Sequence, residues 1–248
     1  MTETADPWER FRAATRARIG LGRSGDALPT KALLDFQAAH ARARDAVHGA
    51  VDFDTLAASM GRSVVQVHSA APERDSYLRR PDLGRRLDAA SRERLAGLLA
   101  EPADAVFIIG DGLSTAVQHH ALPLLDLVLP ELEGWHLAPV ILAGQARVAL
   151  GDEIGAALKS SLSVMLIGER PGLSVADSLG VYLTWQPRPG RTDAERNCIS
   201  NIHAHGLTYR EAAARLLWLM KEARHRRLSG VALKEDSVLP PPAPETDA

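Results

Sequence analysis

The hydrophobic pattern of this 248-residue chain changes character near residue 103. Before that point, apolar residues recur at helical spacing in residues 31–47, after a Thr30 that is placed to cap the helix, and again in residues 91–100. A short β-branched run at residues 63–67 predicts one strand. The N-terminal part is therefore expected to be mainly helical.

After residue 103 the chain alternates apolar runs with helical patterns. Continuous apolar strands joined by helices are typical of a parallel sheet that is covered on both faces. The predicted fold is α/β, a Rossmann-like parallel sheet with flanking helices, preceded by a mainly helical N-terminal region. Its strands are expected at residues 105–109, 138–143, 163–167 and 180–185, and its last helix at about residues 209–226.

These patterns divide the chain into four expected segments. The tail is rich in proline and polar residues and buries too little apolar surface to offset the entropy of ordering, so we expect it to be disordered. The segments are an N-terminal arm (1–26), a mainly helical region (27–102), a Rossmann-like domain (103–232) and the tail (233–248).

Composition excludes several classes of function. Lys and Arg number 29 against 31 Asp and Glu, so the chain has no positive field that would attract nucleic acid. No apolar stretch reaches the roughly 18 residues of a membrane span, and no secretory signal is recognisable, so the expected location is the cytoplasm. The single cysteine, Cys198, cannot form an internal disulfide or a cysteine-rich zinc site.

Three predicted strands end in polar turns that contain glycine, at residues 109–115, 144–148 and 167–173. Because the carboxyl ends of parallel strands meet at one edge of a sheet, these turns are expected to border a ligand-binding crevice. No strict phosphate-binding motif is present in them. The sequence therefore predicts a site at this edge without identifying its ligand.

Each polar residue near this edge also has a structural interpretation. Asp111 and Ser114 can cap the following helix instead of binding a ligand. Glu169 can accept a hydrogen bond from a ligand or pair with Arg170 or another arginine. Cys198 can be a small buried hydrophobe, and a nucleophilic pair with His203 lacks an evident third group.

Two further clusters have weaker patterns. The pairs His119/His120 and His203/His205 lack the spacing of a recognised zinc site, so no metal site is predicted. An arginine-rich loop can hold a phosphate or a partner's carboxylates, or simply form a solvated surface. Its members are Arg79, Arg80, Arg85 and Arg86.

Six short motifs follow one another between about residues 15 and 230: GRSG, YLRRPDLGRRL, GDGLST, ARV, GERPGL and CISNIH. In this order and spacing the chain resembles the small subunits of ethanolamine ammonia-lyase. The last two motifs are the most specific. The amino-terminal arm is short, which weakens the case for a targeting role such as delivery into a bacterial microcompartment.

The resemblance implies an α/β subunit that packs beside a large catalytic subunit in a hetero-oligomer, with adenosylcobalamin held between the two chains. By the resemblance, Val148 of ARV, Glu169 of GERPGL and Cys198 of CISNIH contact the cofactor. Ethanolamine would be bound mainly by the large subunit and converted to acetaldehyde and ammonia by a radical mechanism, so no catalytic residue is assigned to this chain. The alternative is a non-catalytic nucleotide-binding or assembly module of the same fold.

Overall fold

A mixed six-stranded sheet forms the centre of the molecule, as seen in a computed structural model that describes residues 6–98 and 101–234. In spatial order the strands run β1-β3-β2-β4-β5-β6. Their bounds are β1 Val64–His68, β2 Ala105–Gly110, β3 Val140–Gly144, β4 Leu162–Gly168, β5 Leu179–Trp185 and β6 Arg196–Ile202.

The prediction of a parallel sheet is correct for β2, β3 and β4 and wrong for β5, and β6 was not predicted as a strand. The strands β1, β3, β2 and β4 are parallel, whereas β5 runs antiparallel to β4, and β6 antiparallel to β5. Parallel neighbours need a long crossover, usually a helix. Residues 169–178 and 186–195 contain no α-helix, so the chain turns back on itself at both connections.

Helices cover both faces of the sheet. They are α1 Glu9–Ala14, α2 Thr30–His48, α3 Phe53–Ser59, α4 Arg74–Arg79, α5 Ala89–Gly97, α6 Val117–Val128, α7 Leu150–Ala157 and α8 Tyr209–Arg226. One apolar core lies between the sheet and α3, α6 and α8, and the other lies under α5 and α7. Strand β2 serves both cores because Phe107 and Ile109 face the first and Val106 and Ile108 face the second.

The N-terminal region contributes to the same sheet. Strand β1, which the β-branched run at residues 63–67 predicted, pairs with β3 and forms one edge. The predicted helix after Thr30 is confirmed as α2, but Pro29 is its N-terminal flanking residue and no side chain caps it. The tail lies outside the described residues from residue 235 onward. A search of the described helices finds none with the length and hydropathy that a bilayer-spanning segment needs.

A buried ion pair joins the last strand to the body of the molecule. The Arg196 guanidinium at the start of β6 donates to both carboxylate oxygens of Asp152 on α7, at 2.6 and 2.7 Å, and to the Thr184 hydroxyl on β5. Both charged side chains are only 2% exposed. Burial by itself lowers the pKa of Arg196, but the Asp152 carboxylate outweighs that effect and the net shift is upward.

Candidate functional site

The carboxyl ends of the parallel strands meet at one edge, as the pattern predicted. Two glycines allow the turns after β2 and β4 to touch. Gly112 has a φ of +63°, and the Leu113 amide donates to the Gly168 carbonyl at 2.9 Å. A side chain on either glycine would collide with the other turn. The GDGLST and GERPGL motifs are therefore in direct contact.

Asp111 fixes the turn after β3, and the prediction that it caps the following helix is wrong. Its two carboxylate oxygens accept hydrogen bonds from the backbone amides of Gln145 and Ala146, each at 2.9 Å. Helix α6 instead follows Ala116 without a side-chain cap, and the buried Ser114 hydroxyl has no partner there. Burial raises the pKa of Asp111, while these amide donors oppose the shift.

A stacked group of aromatic and cationic side chains holds the same turn from the other side. Tyr77 is fully buried and lies between two guanidinium groups, with that of Arg74 4.8 Å and that of Arg147 4.2 Å from the ring centre. The Tyr77 hydroxyl donates to the Ala146 carbonyl at 2.9 Å, and burial raises its pKa. Sequence reasoning missed this residue because it lies within a segment that was expected to be a polar loop.

A cleft of about 450 Å³ opens between these turns. Val148 and Glu169, two of the three predicted contact residues, both line it. The remaining surface combines apolar, aromatic and cationic groups. These include Tyr77, Arg147, Ile167 and Tyr182.

Glu169 forms hydrogen bonds within the chain and no ion pair with Arg170. Its Oε2 atom accepts from the Ser178 hydroxyl at 2.8 Å and from the Asn201 amide at 3.2 Å. The interpretation of Glu169 as half of a local salt bridge is therefore wrong. The sequence did not predict either donor, because Ser178 lies in a loop without a recognisable motif and Asn201 donates through its backbone amide.

Cys198 lies within strand β6, a strand that the sequence did not predict. It pairs directly with Tyr182 of β5, and such opposed residues project from the same face of a sheet. The side chain is exposed, so Cys198 is not a buried hydrophobe. Cys198 does not itself line the cleft, but it lies beside Tyr182, which does.

The surroundings of Cys198 favour the neutral thiol. Desolvation by neighbouring atoms raises its pKa, the Tyr182 hydroxyl opposes this by hydrogen bonding, and the negative charge of Glu169 adds to the rise. A thiol that stays protonated at neutral pH is a poor nucleophile. The arrangement is thus suited to contact with a ligand and not to covalent catalysis.

The histidines form structural contacts. His203 is buried, its Nε2 lies 2.9 Å from Asn201 Oδ1, and burial lowers its pKa. His120 lies 2.6 Å from the Tyr209 hydroxyl, and its Nε2 is 3.1 Å from Asp177 in an orientation too poor for a hydrogen bond. Within residues 6–98 and 101–234, no three His, Cys, Asp or Glu side chains come together as metal ligands.

The arginine-rich loop is partly paired within the chain. Arg79 lies 3.5 Å from Asp75, and Arg80 forms a two-point contact with Asp82 at 2.7 and 2.9 Å. Arg85 and Arg86 line a separate groove of about 510 Å³. Most of this loop is therefore a solvated charged surface with local pairs, worth little in stability.

Comparisons with known proteins agree on one family. A family model described as ethanolamine ammonia-lyase light chain matches residues 5–234. Proteins named ethanolamine ammonia-lyase small subunit are similar to the chain over most of both lengths. One from Pseudomonas aeruginosa (strain LESB58) is 54% identical over 244 residues, 94% of this chain and 88% of the relative. One from Bradyrhizobium diazoefficiens is 54% identical over 234 residues (92% and 90%), and one from Rhodopseudomonas palustris (strain BisA53) is 53% identical over 244 residues (96% and 94%).

Proposed function

Because the chain belongs to the ethanolamine ammonia-lyase light chain family, we propose that it is the small subunit of a lyase that acts together with a large subunit. We further propose that Val148, Glu169 and Cys198 form one wall of an adenosylcobalamin site that the large subunit completes. The observation that carries the second proposal is their arrangement, since Val148 and Glu169 line one cleft and Cys198 lies opposite Tyr182, which lines the same cleft.

The chemistry of this wall fits a corrinoid. Glu169 is a hydrogen-bond acceptor for the amide groups on the corrinoid periphery, while Val148 and the neutral Cys198 thiol offer apolar and soft contacts. A cleft of about 450 Å³ is much smaller than such a cofactor. A site shared between two chains accounts for that difference in size.

When bound, the cofactor supplies radical chemistry for the release of ammonia from ethanolamine. The residues of this chain would bind and orient it, with Glu169 as the hydrogen-bond acceptor and Val148 and Cys198 as packing contacts. No residue of this chain is assigned to contact ethanolamine. The side chains that act on the substrate belong, in this proposal, to the large subunit.

Reconstitution tests the proposed activity. The purified chain, the large subunit, adenosylcobalamin and ethanolamine should together produce acetaldehyde, which a coupled alcohol dehydrogenase assay measures. Omission of either chain should abolish the product. Full activity of the large subunit without this chain would contradict the proposal and favour a non-catalytic binding or assembly module.

The Glu169→Ala variant tests the proposed wall. It removes a hydrogen bond to a charged acceptor, so the cofactor concentration at half-maximal rate should rise about tenfold or more, while the KM for ethanolamine stays within about twofold. Glu133→Ala is the matched control, because Glu133 is exposed in the loop before β3, at the opposite end of the parallel strands from the cleft. Equal effects on both concentrations would refute a role confined to the cofactor.

A further inference from the structure

The two oxygens of the Glu169 carboxylate have different surroundings. Oε2 accepts two hydrogen bonds from the chain, from the Ser178 hydroxyl and the Asn201 amide. Among the described residues, both hydrogen bonds to this carboxylate end on Oε2 and none on Oε1. The carboxylate therefore has one oxygen fixed by the protein and one left for an external donor.

Ser178 is held to Glu169 through the backbone as well as through its side chain. The Glu169 amide donates to the Ser178 carbonyl at 3.0 Å, which extends the pairing of β4 with β5 by one step. Ser178 is only 8% exposed, so its hydroxyl has little access to solvent and stays directed at Oε2. This double link restricts the rotation of the Glu169 side chain.

The backbone amide of Asn201 is directed at Glu169 by an irregularity near the end of β6, where the pairing with β5 shifts register. Asn201 has a φ of +63°, a left-handed conformation that asparagine adopts more readily than most residues other than glycine. Its side-chain oxygen contacts His203 Nε2 at 2.9 Å, and its carbonyl accepts from the Leu207 amide at 2.9 Å. Because His203 Nδ1 accepts the His205 amide, Nε2 carries the proton that it donates to Asn201.

Strand β5 leaves room for the Glu169 carboxylate because it has a glycine at position 180. Gly180 lies beside the carboxylate, and a Cβ atom there would stand 3.1 Å from Oε1 and 3.3 Å from the Glu169 Cγ. That separation is tighter than an ordinary van der Waals contact, so with a side chain there the Glu169 carboxylate would have to move by a few tenths of an ångström. The glycine at position 180 and the two donors, from Ser178 and Asn201, therefore together determine where the Glu169 carboxylate lies.

We infer that Ser178 and Asn201 are positioning residues that orient Glu169 so that Oε1 alone is offered to the ligand. The inference rests on the proposed function, in which Glu169 contacts the cofactor. An oxygen presented in this way accepts from an N–H or O–H group and repels a carbonyl or phosphate oxygen. The ligand group that meets Glu169 is thus a hydrogen-bond donor, such as a primary carboxamide.

The Ser178→Ala variant tests the inference in the complex with the large subunit. Equilibrium dialysis against adenosylcobalamin in dim light should give a Kd that is raised about three- to tenfold. A rate assay at saturating cofactor should give an unchanged kcat. Ser174→Ala, an exposed serine of the same loop, should leave the Kd unchanged. Ser178→Cys keeps nearly the same shape with a weaker donor, and should weaken binding in the same direction without a cavity.

A double-mutant cycle separates positioning from a general structural role. In a Glu169→Gln background, Ser178→Ala should change the Kd by less than about twofold, because the partner it positions is already altered. Additive effects, or a fall in Tm without a change in Kd, would overturn the inference. If the Kd for the cofactor is unchanged in Glu169→Ala, the proposed function is refuted. If the Kd is raised in Glu169→Ala but unchanged in the Ser178 variants, only the inference about positioning is refuted.

Discussion

At the scale of single residues, the candidate site is defined by how neighbouring groups restrict each side chain. Cys198 is exposed, yet desolvation and the charge of Glu169 disfavour its thiolate. Tyr182, its partner on the adjacent strand, is also shifted, since burial raises the pKa of its hydroxyl. The result is a pair of neutral side chains beside a single carboxylate, which in the proposed site would discriminate among ligands by hydrogen bonding and not by covalent reaction.

The ionisation of Cys198 gives a prediction in the full chain. Only the thiolate reacts with iodoacetamide, so the alkylation rate should increase about tenfold per pH unit at pH values below the pKa. The pH at which the rate is half of its maximum should lie above the ordinary thiol pKa. Glu169→Gln should lower that midpoint because it removes a negative charge, and the urea-unfolded chain should show the ordinary value. Mass spectrometry of the single cysteine measures the rate. Rapid labelling of the folded chain at neutral pH would contradict the raised pKa.

At the scale of elements, apolar runs were sufficient to predict the buried strands but not the last one. Strands β2 and β4 are buried at every position, and both were predicted to within two residues. Strand β6 is not an apolar run, because only Arg196, Ile199 and Ile202 face inward along its seven residues. An inward arginine is compatible with a strand only when a distant carboxylate pairs with it, and local sequence does not reveal that pairing. For the same reason the sequence did not reveal the role of Asp111 and missed Ser178, whose partners lie elsewhere in the chain.

The pairing of Arg196 with Asp152 yields a prediction for β6, the strand that carries Cys198. Arg196→Met should lower the free energy of unfolding by roughly 3–5 kcal/mol, because it leaves the Asp152 carboxylate buried without its partner. The combined variant Arg196→Met/Asp152→Leu should recover most of that loss, since no unpaired charge remains. Urea denaturation measures both. Losses that simply add in the combined variant would show that the two side chains do not act as a pair.

At the scale of the whole molecule, the exposed apolar side chains are concentrated near the N-terminus. Among the described residues, six of the nine large exposed ones lie between residues 8 and 36: Trp8, Phe11, Leu28, Leu33, Leu34 and Phe36. Helix α2 buries only Ala39 along its 19 residues. Contiguous exposed apolar surface commonly marks contact with another protein. This distribution is consistent with a chain whose family is defined by a two-subunit enzyme.

The open cleft predicts how cofactor binding is divided between the subunits. In the proposed site, Val148, Glu169 and Cys198 would approach the ligand from one side only, so the chain by itself would not surround a corrinoid. Each contact between this chain and the cofactor would contribute about 1–3 kcal/mol of binding free energy. Immobilising the cofactor costs a comparable amount, so these contacts alone would not give tight binding. We therefore expect the isolated chain to retain no adenosylcobalamin on gel filtration in dim light.

The same measurement on mixtures completes the prediction. The complex with the large subunit should retain the cofactor, and Glu169→Ala in this chain should reduce that retention even though the large subunit is unchanged. The large subunit alone is the control that separates a shared wall from a site held by one chain. If the isolated chain bound the cofactor as tightly as the complex does, its cleft would be a complete site. The interpretation of Val148, Glu169 and Cys198 as one wall of an interface would then be wrong.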